Sequence, residues 1–364
     1  MKKIYLPPAV LLILLSSVGL GNAADTAAAM EQDKGSGTGS GQAGQAASTS
    51  AKGDSASSAG QTDPFDVDQQ ERLFWTKGEL KMGVEKWYGD NTYQIGFPVY
   101  DYATLTHFEG YFPFSELEFP LDVVMFAAKY DLEFKKRWML SLGFKTDLDH
   151  SGDDMEDSDW LTAANPDRLD VYSDSNVTEF DAYEYDVSVR FKYLMGQSWS
   201  LDAGIGYLYQ NYKYETALKT QYSPSGLPGY SFVWDGQTPS LKYDLYYRIP
   251  YVQLGGSVTF AKRFTLIASA AYSPIVHAED EDQHLLRGKV NRGNLDGDSW
   301  MVDMEARYQI NRNWFVGLEY GYKKIEVDGK MTALFYGGLD PDHTVWEELE
   351  STQHAASLMV GYTF

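Results

Sequence analysis

Apolar and polar side chains alternate with a period of two over long stretches of this chain. Two of the clearest stretches read YDLYYRIPY at 243–251 and WFVGLEYGY at 314–322. Because successive side chains of a β-strand point to opposite faces of its sheet, each stretch predicts a strand with one apolar face. Ten such segments can be traced, near residues 73–89, 115–131, 137–147, 178–195, 199–213, 239–260, 263–277, 299–310, 313–326 and 352–364.

The connections between these segments fall into two classes that alternate strictly. Short connections lie at 196–200, 260–264 and 310–314, and long polar ones lie near 90–114, 148–177, 214–238, 278–298 and 327–351. An even number of strands, with short turns at one end and long loops at the other, is typical of bacterial outer-membrane barrels, whose long loops face outward. The pattern therefore predicts an all-β fold, a ten-stranded antiparallel transmembrane β-barrel with long extracellular loops.

Both ends of the chain fit export to that membrane. Residues 1–23 combine a basic head, a short apolar run and a small-residue cleavage site, which predicts a signal peptide. Residues 24–64 are rich in Gly, Ser and Ala and predict a disordered linker, because they hold almost no large apolar side chain. The barrel is expected over 65–364, and its last strand ends in the aromatic Phe364, as the strands of outer-membrane barrels do.

Composition narrows the class of protein further. The mean hydropathy is −0.39 and no apolar run of 18 residues follows the leader, which excludes a helical membrane protein but not a barrel with a polar lumen. Aromatic residues make up 15% of the chain, as two interfacial girdles require. The formal net charge of −22 argues against nucleic acid as a partner. The chain has no cysteine and therefore no disulfide framework.

The predicted loop 148–177 carries a first candidate site. Asp157 and Asp159 are two residues apart, so an extended segment places both carboxylates on one face. There each raises the pKa of the other, and the pair can hold a water between them. Solvated surface is the alternative. Calcium binding is another, because residues 147–153 resemble half of a calcium loop, although position twelve is Ser158 and not a bidentate Glu.

The predicted loop 278–298 carries a second candidate site. Asp282 and His284 also share one face if the segment is extended. A carboxylate orients an imidazole and stabilises its protonated form, which a histidine general base requires. Of the six histidines only His284 and His150 lie in a dense acidic loop, which favours His284. A lone Asp-x-His pair also occurs on ordinary polar surfaces, so the spacing alone leaves both interpretations open.

These two segments resemble motifs of the omptins, which are ten-stranded outer-membrane endopeptidases. Asp157-Ser-Asp-Trp160, followed by Asn165-Pro166, is similar to their Asp-x-Asp-Trp…Asn-Pro segment. Asp280-Glu-Asp-Gln-His284 is similar to their Asp-x-Asp-x-His segment. Further similarities in order and spacing lie at 179–181, 248–251, 288–290 and 361–364. The resemblance covers about residues 78–364.

The resemblance implies an activity and a set of site residues. It implies hydrolysis of extracellular peptides or proteins next to basic residues, with no cofactor, by a water that an Asp/His site activates. Asp282 and His284 become a dyad, Asp157 and Asp159 a couple that faces it, and Asp280 an acid of the pocket for the basic side chain. The implied partners are such substrates and outer-membrane lipid, and the implied location is the bacterial cell outer membrane.

Two departures from the family pattern leave parts of this interpretation open. The second acid of the specificity pocket, which omptins carry in the first loop, has no clean counterpart here, and Asp101 is only nearby. Tyr209 and Asn211 stand where omptins have an acid and a base that help to hold lipopolysaccharide. Lipopolysaccharide therefore stays an open partner.

The parity of one strand raises a further question. Phe264, Leu266 and Tyr272 are spaced as lipid-facing residues, and strict alternation from them puts Asp282 and His284 on the lipid face as well. A bulge or break near Pro274 would correct the parity.

The alternative function is a non-enzymatic surface protein, either an adhesin or a narrow porin, whose acidic loops are solvated or bind calcium. A ten-stranded barrel is too narrow for an open pore once side chains fill its lumen, which argues against the porin.

Overall fold

A computed structural model describes residues 75–97, 111–150, 153–335 and 343–364. The predicted signal peptide 1–23, the predicted linker 24–64 and Asp101 lie outside the described residues, so those predictions stay predictions. Within the described ranges, no helix is long and apolar enough to cross a membrane.

The described chain forms one antiparallel sheet of 13 strands. In chain order they are β1 Trp75–Phe97, β2 Tyr111–Pro120, β3 Val123–Phe134, β4 Trp138–His150, β5 Asp154–Asp159, β6 Val171–Met195, β7 Trp199–Tyr222, β8 Phe232–Val233, β9 Pro239–Phe260, β10 Phe264–His284, β11 Lys289–Gln309, β12 Trp314–Phe335 and β13 His343–Thr363. β1 pairs with β13 on one side and with β2 and β3 on the other, so the sheet closes into a ring.

The ring has ten staves, that is, ten strand positions around the barrel, as the alternation predicts. β2 and β3 follow one another along β1, and β4 and β5 follow one another along β6, so each of these pairs of strands builds a single stave. β8 is a two-residue strand that pairs with β7 in the connection to β9. The predicted fold class is confirmed.

The strands are longer than the sequence pattern predicts. The predicted loop 278–298 is mostly strand, because β10 runs to His284 and β11 begins at Lys289. The predicted loops 90–114 and 214–238 likewise begin as strand, to Phe97 and Tyr222. In these extensions most outward side chains are polar or charged, while inward ones such as Tyr93, Ile95 and Ala278 are buried. The apolar outer face that marks the rest of each strand therefore disappears.

A belt of exposed apolar side chains surrounds the outside of the barrel and marks the part that lies in lipid. It includes Leu80, Met82, Val84, Val187, Val189, Ile205, Val252, Leu254, Leu266, Leu318, Leu358 and Val360. Aromatic side chains border the belt on both sides, among them Trp138, Phe264, Trp314, Tyr362 and Phe364 near the short turns and Tyr88, Tyr185, Tyr207 and Tyr320 at the other edge. Beyond that second edge the outward face becomes charged, as with Glu279, Glu281 and Arg292.

β10 contains the irregularity on which the site depends. Its pairing with β11 shifts register between Ser273 and Val276, and its pairing with β9 shifts between Tyr272 and His277. One extra residue on β10 reverses the parity, so Ser273 and Val276 are both buried although they are three residues apart. A bulge near Pro274 would correct the parity, and the structure contains one there, which turns the residues beyond it from the lipid face to the interior.

Paired charges line the lumen at the level of the apolar belt. Lys145 Nζ lies 2.7 Å from Glu85 Oε1 and 3.1 Å from Glu184 Oε1, and Lys323 Nζ lies 2.8 Å from Glu184 Oε2. Lys81 Nζ lies 2.8 Å from Glu305 Oε2. With their neighbours, these side chains line an interior cavity of about 200 Å³ and narrow the lumen.

Candidate active site

The Asp157–Asp159 couple lies on a strand and not in a solvated loop. β5 is hydrogen-bonded between β2 and β6, which place Ser115 opposite Asp159 and Ser173 opposite Asp157. The strand ends at Asp159, where the amide of Asp170 donates a hydrogen bond of 2.9 Å to the Asp159 carbonyl. The two carboxylates therefore share one face of a fixed strand, as their spacing predicts.

The environment of the couple favours protonated carboxyls. Burial, followed by the charge of Asp159, raises the pKa of Asp157 well above its usual value. Burial also raises the pKa of Asp159, although a hydrogen bond from Ser115 and the positive charge of Arg287 oppose the increase. The couple therefore binds a proton more readily than two solvated carboxylates do, and a protonated member can donate a hydrogen bond.

Asp282 and His284 lie together at the end of β10 that extends beyond the apolar belt, away from the short turns. His284 Nε2 is 2.9 Å from Asp282 Oδ2, and the side-chain exposures are 14% and 1%. Asn291, which faces Asp282 across the β10–β11 pairing, donates a hydrogen bond of 3.1 Å from Nδ2 to the same oxygen. Because Asp282 holds Nε2, Nδ1 is the ring nitrogen that remains to accept a proton.

The dyad and the couple influence one another electrostatically across the mouth of the barrel. After burial and the neighbouring Asp159, the charge of Asp282 is among the causes that raise the pKa of Asp157. In the opposite sense, and after larger contributions, His284 and Lys289 lower the pKa of Asp159. Carboxyls on β5 and an imidazole on β10 thus border one space.

Asp280 lies on the same face of β10 as Asp282, two residues nearer to the membrane, and is 6% exposed. Next to it is Glu347 of β13, which is fully buried. A side chain at Gly293 of β11 would collide with both, because a Cβ atom there would lie 2.1 Å from Asp280 Oδ1 and 2.1 Å from Glu347 Oε2. Two carboxyl groups therefore flank one glycine beneath the dyad.

The sequence analysis missed four residues of this site, Glu347, Asn291, Arg287 and Lys289. Glu347 falls in the predicted loop 327–351, and only the short alternation Val345, Glu347, Leu349 marks it as inward-facing. Asn291 and Lys289 are visible only once β10 and β11 are paired, since they stand opposite Asp282 and His284.

Three other histidines lie away from the site. His150 packs against Phe180, with ring centroids 6.0 Å apart. His277 points outward between Asp296 and Glu279, 3.0 Å from each. His354 is on the outer surface of β13, where its ring stacks on that of Tyr88.

Residues 147–153, which resemble half of a calcium loop, are described only in part, and Asp147 among them stabilises the sheet. Asp147 Oδ1 accepts a hydrogen bond of 2.8 Å from the amide of Ala182 on the neighbouring strand β6. Ser151 and Gly152 lie outside the described residues. Among the described residues, no group of three or more His, Asp or Glu side chains could hold a metal ion.

Tyr209 and Asn211, the two residues that differ from the lipid site of the resembling family, lie on β7. The Tyr209 ring is 6.2 Å from that of Tyr246, over which Arg248 places its guanidinium at 4.9 Å. Asn211 donates a hydrogen bond of 2.7 Å to Asp244 Oδ1. Aromatic and charged groups thus gather on the outer surface just above the apolar belt.

Comparison with known proteins gives a consistent result. A family model described as the Omptin family matches residues 109–361. Two proteins named Protease 7, from Escherichia coli O157:H7 and from Escherichia coli strain K12, are each 27% identical to this chain over 199 residues. That alignment covers 52% of this chain and 62% of each relative, so it spans less than two thirds of their length.

One solved structure resembles the whole barrel. The crystal structure of the outer membrane protease OmpT from Escherichia coli superposes with a TM-score of 0.66 at 17% sequence identity. The match covers 80% of this chain and 99% of that one, and at this level of identity it supports the fold alone.

Proposed function

The chain belongs to the omptin family, and from that membership we propose that it is an endopeptidase that hydrolyses extracellular peptides or proteins next to basic residues. The barrel lies in the bacterial outer membrane, with its site at the extracellular mouth. The observation that carries the proposal is the Asp282–His284 pair, in which Asp282 is buried and His284 is 14% exposed, together with the nearby Asp157–Asp159 couple.

The geometry supports attack by water on the peptide bond. Asp282 holds His284 through Nε2, so Nδ1 accepts a proton as a water oxygen bonds to the scissile carbonyl carbon. The carbonyl oxygen becomes an oxyanion. A protonated Asp157 or Asp159 donates a hydrogen bond to it, and a donor placed where charge develops lowers the barrier. The intermediate collapses as the C–N bond breaks, and His284 gives its proton to the leaving amine.

Asp280 supports the preference for basic side chains. It lies below Asp282 on the same face, so a side chain that extends from the scissile bond toward the barrel axis reaches it. A buried carboxyl binds a guanidinium or ammonium group better than a neutral side chain of the same size.

The rival function, a purely adhesive or pore-forming barrel, has less support. Solvated acidic loops do not require carboxylates that are buried and held by a histidine and an asparagine, as Asp282 is. The paired charges in the lumen also argue against a porin.

Outer-membrane lipid is a partner of any such barrel, and lipopolysaccharide is part of the proposal. Arg248 and Tyr246 lie on the outer surface above the apolar belt, where lipid phosphates are expected. Tyr209 and Asn211 contribute no charge to that surface, so we expect a weaker dependence on this lipid than an acid–base pair would give. Peptidase activity of protein refolded with and without lipopolysaccharide measures that dependence.

The proposal is tested with the full chain refolded in detergent and lipopolysaccharide. A peptide library is incubated with the protein, and cleavage sites are identified by mass spectrometry. We expect cuts next to Arg or Lys in the wild type and none in His284→Ala. His150→Ala is the matched control, because His150 also lies near acidic residues but packs against Phe180. An intact library after incubation with correctly folded wild type contradicts the proposal.

A further inference from the structure

Glu347 and Asp280 are two adjacent acids inside the barrel that have no cationic partner among the described residues. Both are buried, and Glu347 Oε1, Glu347 Oε2 and Asp280 Oδ1 have no hydrogen-bond partner among the described residues. Within the same residues, no Lys or Arg lies at salt-bridge distance from either carboxyl. Several lumen acids nearer to the short turns are paired with cations, as Glu184 is with Lys145 and Lys323.

Two adjacent buried carboxyls cannot both be ionised without a counter-charge. The groups that face them are Asp282 on β10, Asn291 on β11, Tyr93 on β1, and Tyr243 and Tyr247 on β9. None of these is a cation.

The pair therefore retains a proton. Burial raises the pKa of Asp280 to about 7, and burial together with the charge of Asp280 raises that of Glu347. The proton belongs to the pair and not to one residue.

We propose that Glu347 and Asp280 together form the floor of the pocket for the basic side chain, which enters in exchange for the proton that the two carboxyls share. This rests on the proposed function, because it is the peptide substrate that brings the cation. The guanidinium or ammonium group supplies the missing counter-charge, and the displaced proton leaves to solvent. Glu347, from the last strand, takes the place of the acid that the resembling family carries in its first loop.

Exchange of a proton for a cation makes binding depend on pH. Below the titration of the pair, each unit of acidification weakens binding of the cation about tenfold, since one proton must leave for each cation bound. Above it, binding is independent of pH. A neutral side chain in the same pocket shows no such dependence.

The kinetic test compares two peptides that differ only in Arg or norleucine before the cleaved bond. We expect Glu347→Gln to lower kcat/KM for the Arg peptide about 10- to 100-fold through KM, the effect of losing one charge-assisted interaction. The norleucine peptide should change little, and the rise of KM on acidification should move to lower pH. Glu348→Gln is the matched control, because Glu348 is the next residue of β13 and is exposed. An unchanged ratio of the two peptides overturns the proposal.

Direct binding provides a readout without catalysis. Agmatine, a small guanidinium compound, is titrated into the full chain near pH 6, and the heat of binding is measured in buffers of different ionisation enthalpy. The dependence of that heat on the buffer gives the number of protons released. We expect about one proton released per agmatine bound in wild type, and less in Glu347→Gln. Equal release in both variants contradicts the role of Glu347.

The two proposals fail in different ways. Proton release on agmatine binding, without any peptide cleavage, supports the proposed pocket and contradicts the proposed peptidase activity. If Glu347→Gln cleaves peptides with an unchanged preference for Arg, the peptidase activity is supported and the role of Glu347 in the pocket is contradicted. If Glu347→Gln folds poorly, as judged by heat-modifiable migration, Glu347→Asp keeps the charge, and we expect it to retain most of the preference.

Discussion

At the scale of single residues, the proposed chemistry depends on one imidazole whose orientation is fixed. Asp282 is 1% exposed and holds His284 Nε2 at 2.9 Å, so the ring cannot turn without breaking a buried contact. This contact orients the ring before any substrate arrives and leaves Nδ1 to accept a proton, and such preorganisation makes a general base more efficient.

The first prediction concerns that base. His284→Ala should lower kcat by about 10²- to 10⁴-fold, the usual effect of removing a general base. Asn291→Ala should have a smaller effect, because it removes only one of the contacts that hold Asp282. Single-turnover cleavage of an Arg peptide measures both, and full activity of His284→Ala would place the base elsewhere.

The second prediction concerns stability and pH at Asp157. Its pKa in the folded protein is raised above the unfolded value, mainly by burial, so the folded state holds a proton that the unfolded state has lost. Stability therefore falls as pH rises from about 4, the ordinary Asp value, toward the folded pKa. Asp157→Asn cannot ionise, so in that window its free energy of unfolding should rise relative to that of wild type by up to about 1.4 kcal/mol per pH unit. The same substitution should abolish or lower the activity.

The temperature at which heat-modifiable migration is lost, recorded for both proteins from pH 4 to pH 8, measures this difference. Asp153→Asn is the control, since Asp153 is exposed beyond the start of the same strand. Parallel curves for wild type and Asp157→Asn would mean that Asp157 is ionised in the folded barrel.

Sequence spacing was sufficient for part of the site. Asp157 with Asp159, and Asp282 with His284, are i, i+2 pairs, and such pairs share a face in any extended segment. Glu347 and Asn291 were missed because they approach Asp280 and Asp282 only through strand pairing. The register of β11 and β13 is set over whole strands and is not written in the local sequence.

At the scale of elements, the alternation located all ten staves but not their extracellular ends. Strands in lipid must present an apolar outer face, so their pattern is clear. Above the belt the outward side chains are mostly polar or charged, and β10 there reads as the acidic stretch 278–284, which suggested a loop.

The third prediction concerns the bulge in β10. Deleting Ile275, which is 66% exposed, removes the extra residue and restores strict alternation. Asp282 and His284 should then turn to the outer face, and activity should be lost while the barrel still assembles.

The natural chain has no cysteine, so a single Asp282→Cys substitution reports the orientation. We expect slow labelling by a membrane-impermeant maleimide when Ile275 is present and fast labelling when it is deleted. Equally slow labelling in both would mean that the strand absorbs the deletion elsewhere.

At the scale of the whole molecule, closure of the ring involves the last residue. The amide of Phe364 donates a hydrogen bond of 2.9 Å to the Gly78 carbonyl, and the Gly78 amide donates one of 3.1 Å to the Phe364 carbonyl. The Phe364 ring stacks on Tyr130 of β3, with centroids 6.1 Å apart. The C-terminal end of β13 thus contacts both the start of β1 and the neighbouring strand β3.

The fourth prediction follows from this closure. Deleting Phe364 removes both hydrogen bonds and the stacking contact, so the barrel should misassemble in the periplasm. Loss of heat-modifiable migration and of surface labelling measures the defect. Phe364→Tyr keeps the backbone and the aromatic ring and should assemble normally, whereas normal display of the deletion variant would contradict a role for Phe364 in closure.

The paired charges in the lumen have a consequence for the cell that carries the protein. Because Lys145, Glu184 and Lys323 bridge the interior at the level of the lipid, we expect each barrel to add surface area to the envelope while it restricts the passage of solutes. We then expect the number of copies to rise with little change in the uptake of nutrients, dyes or antibiotics. Such a barrel would separate the amount of surface activity from the permeability barrier, two properties that a porin necessarily links.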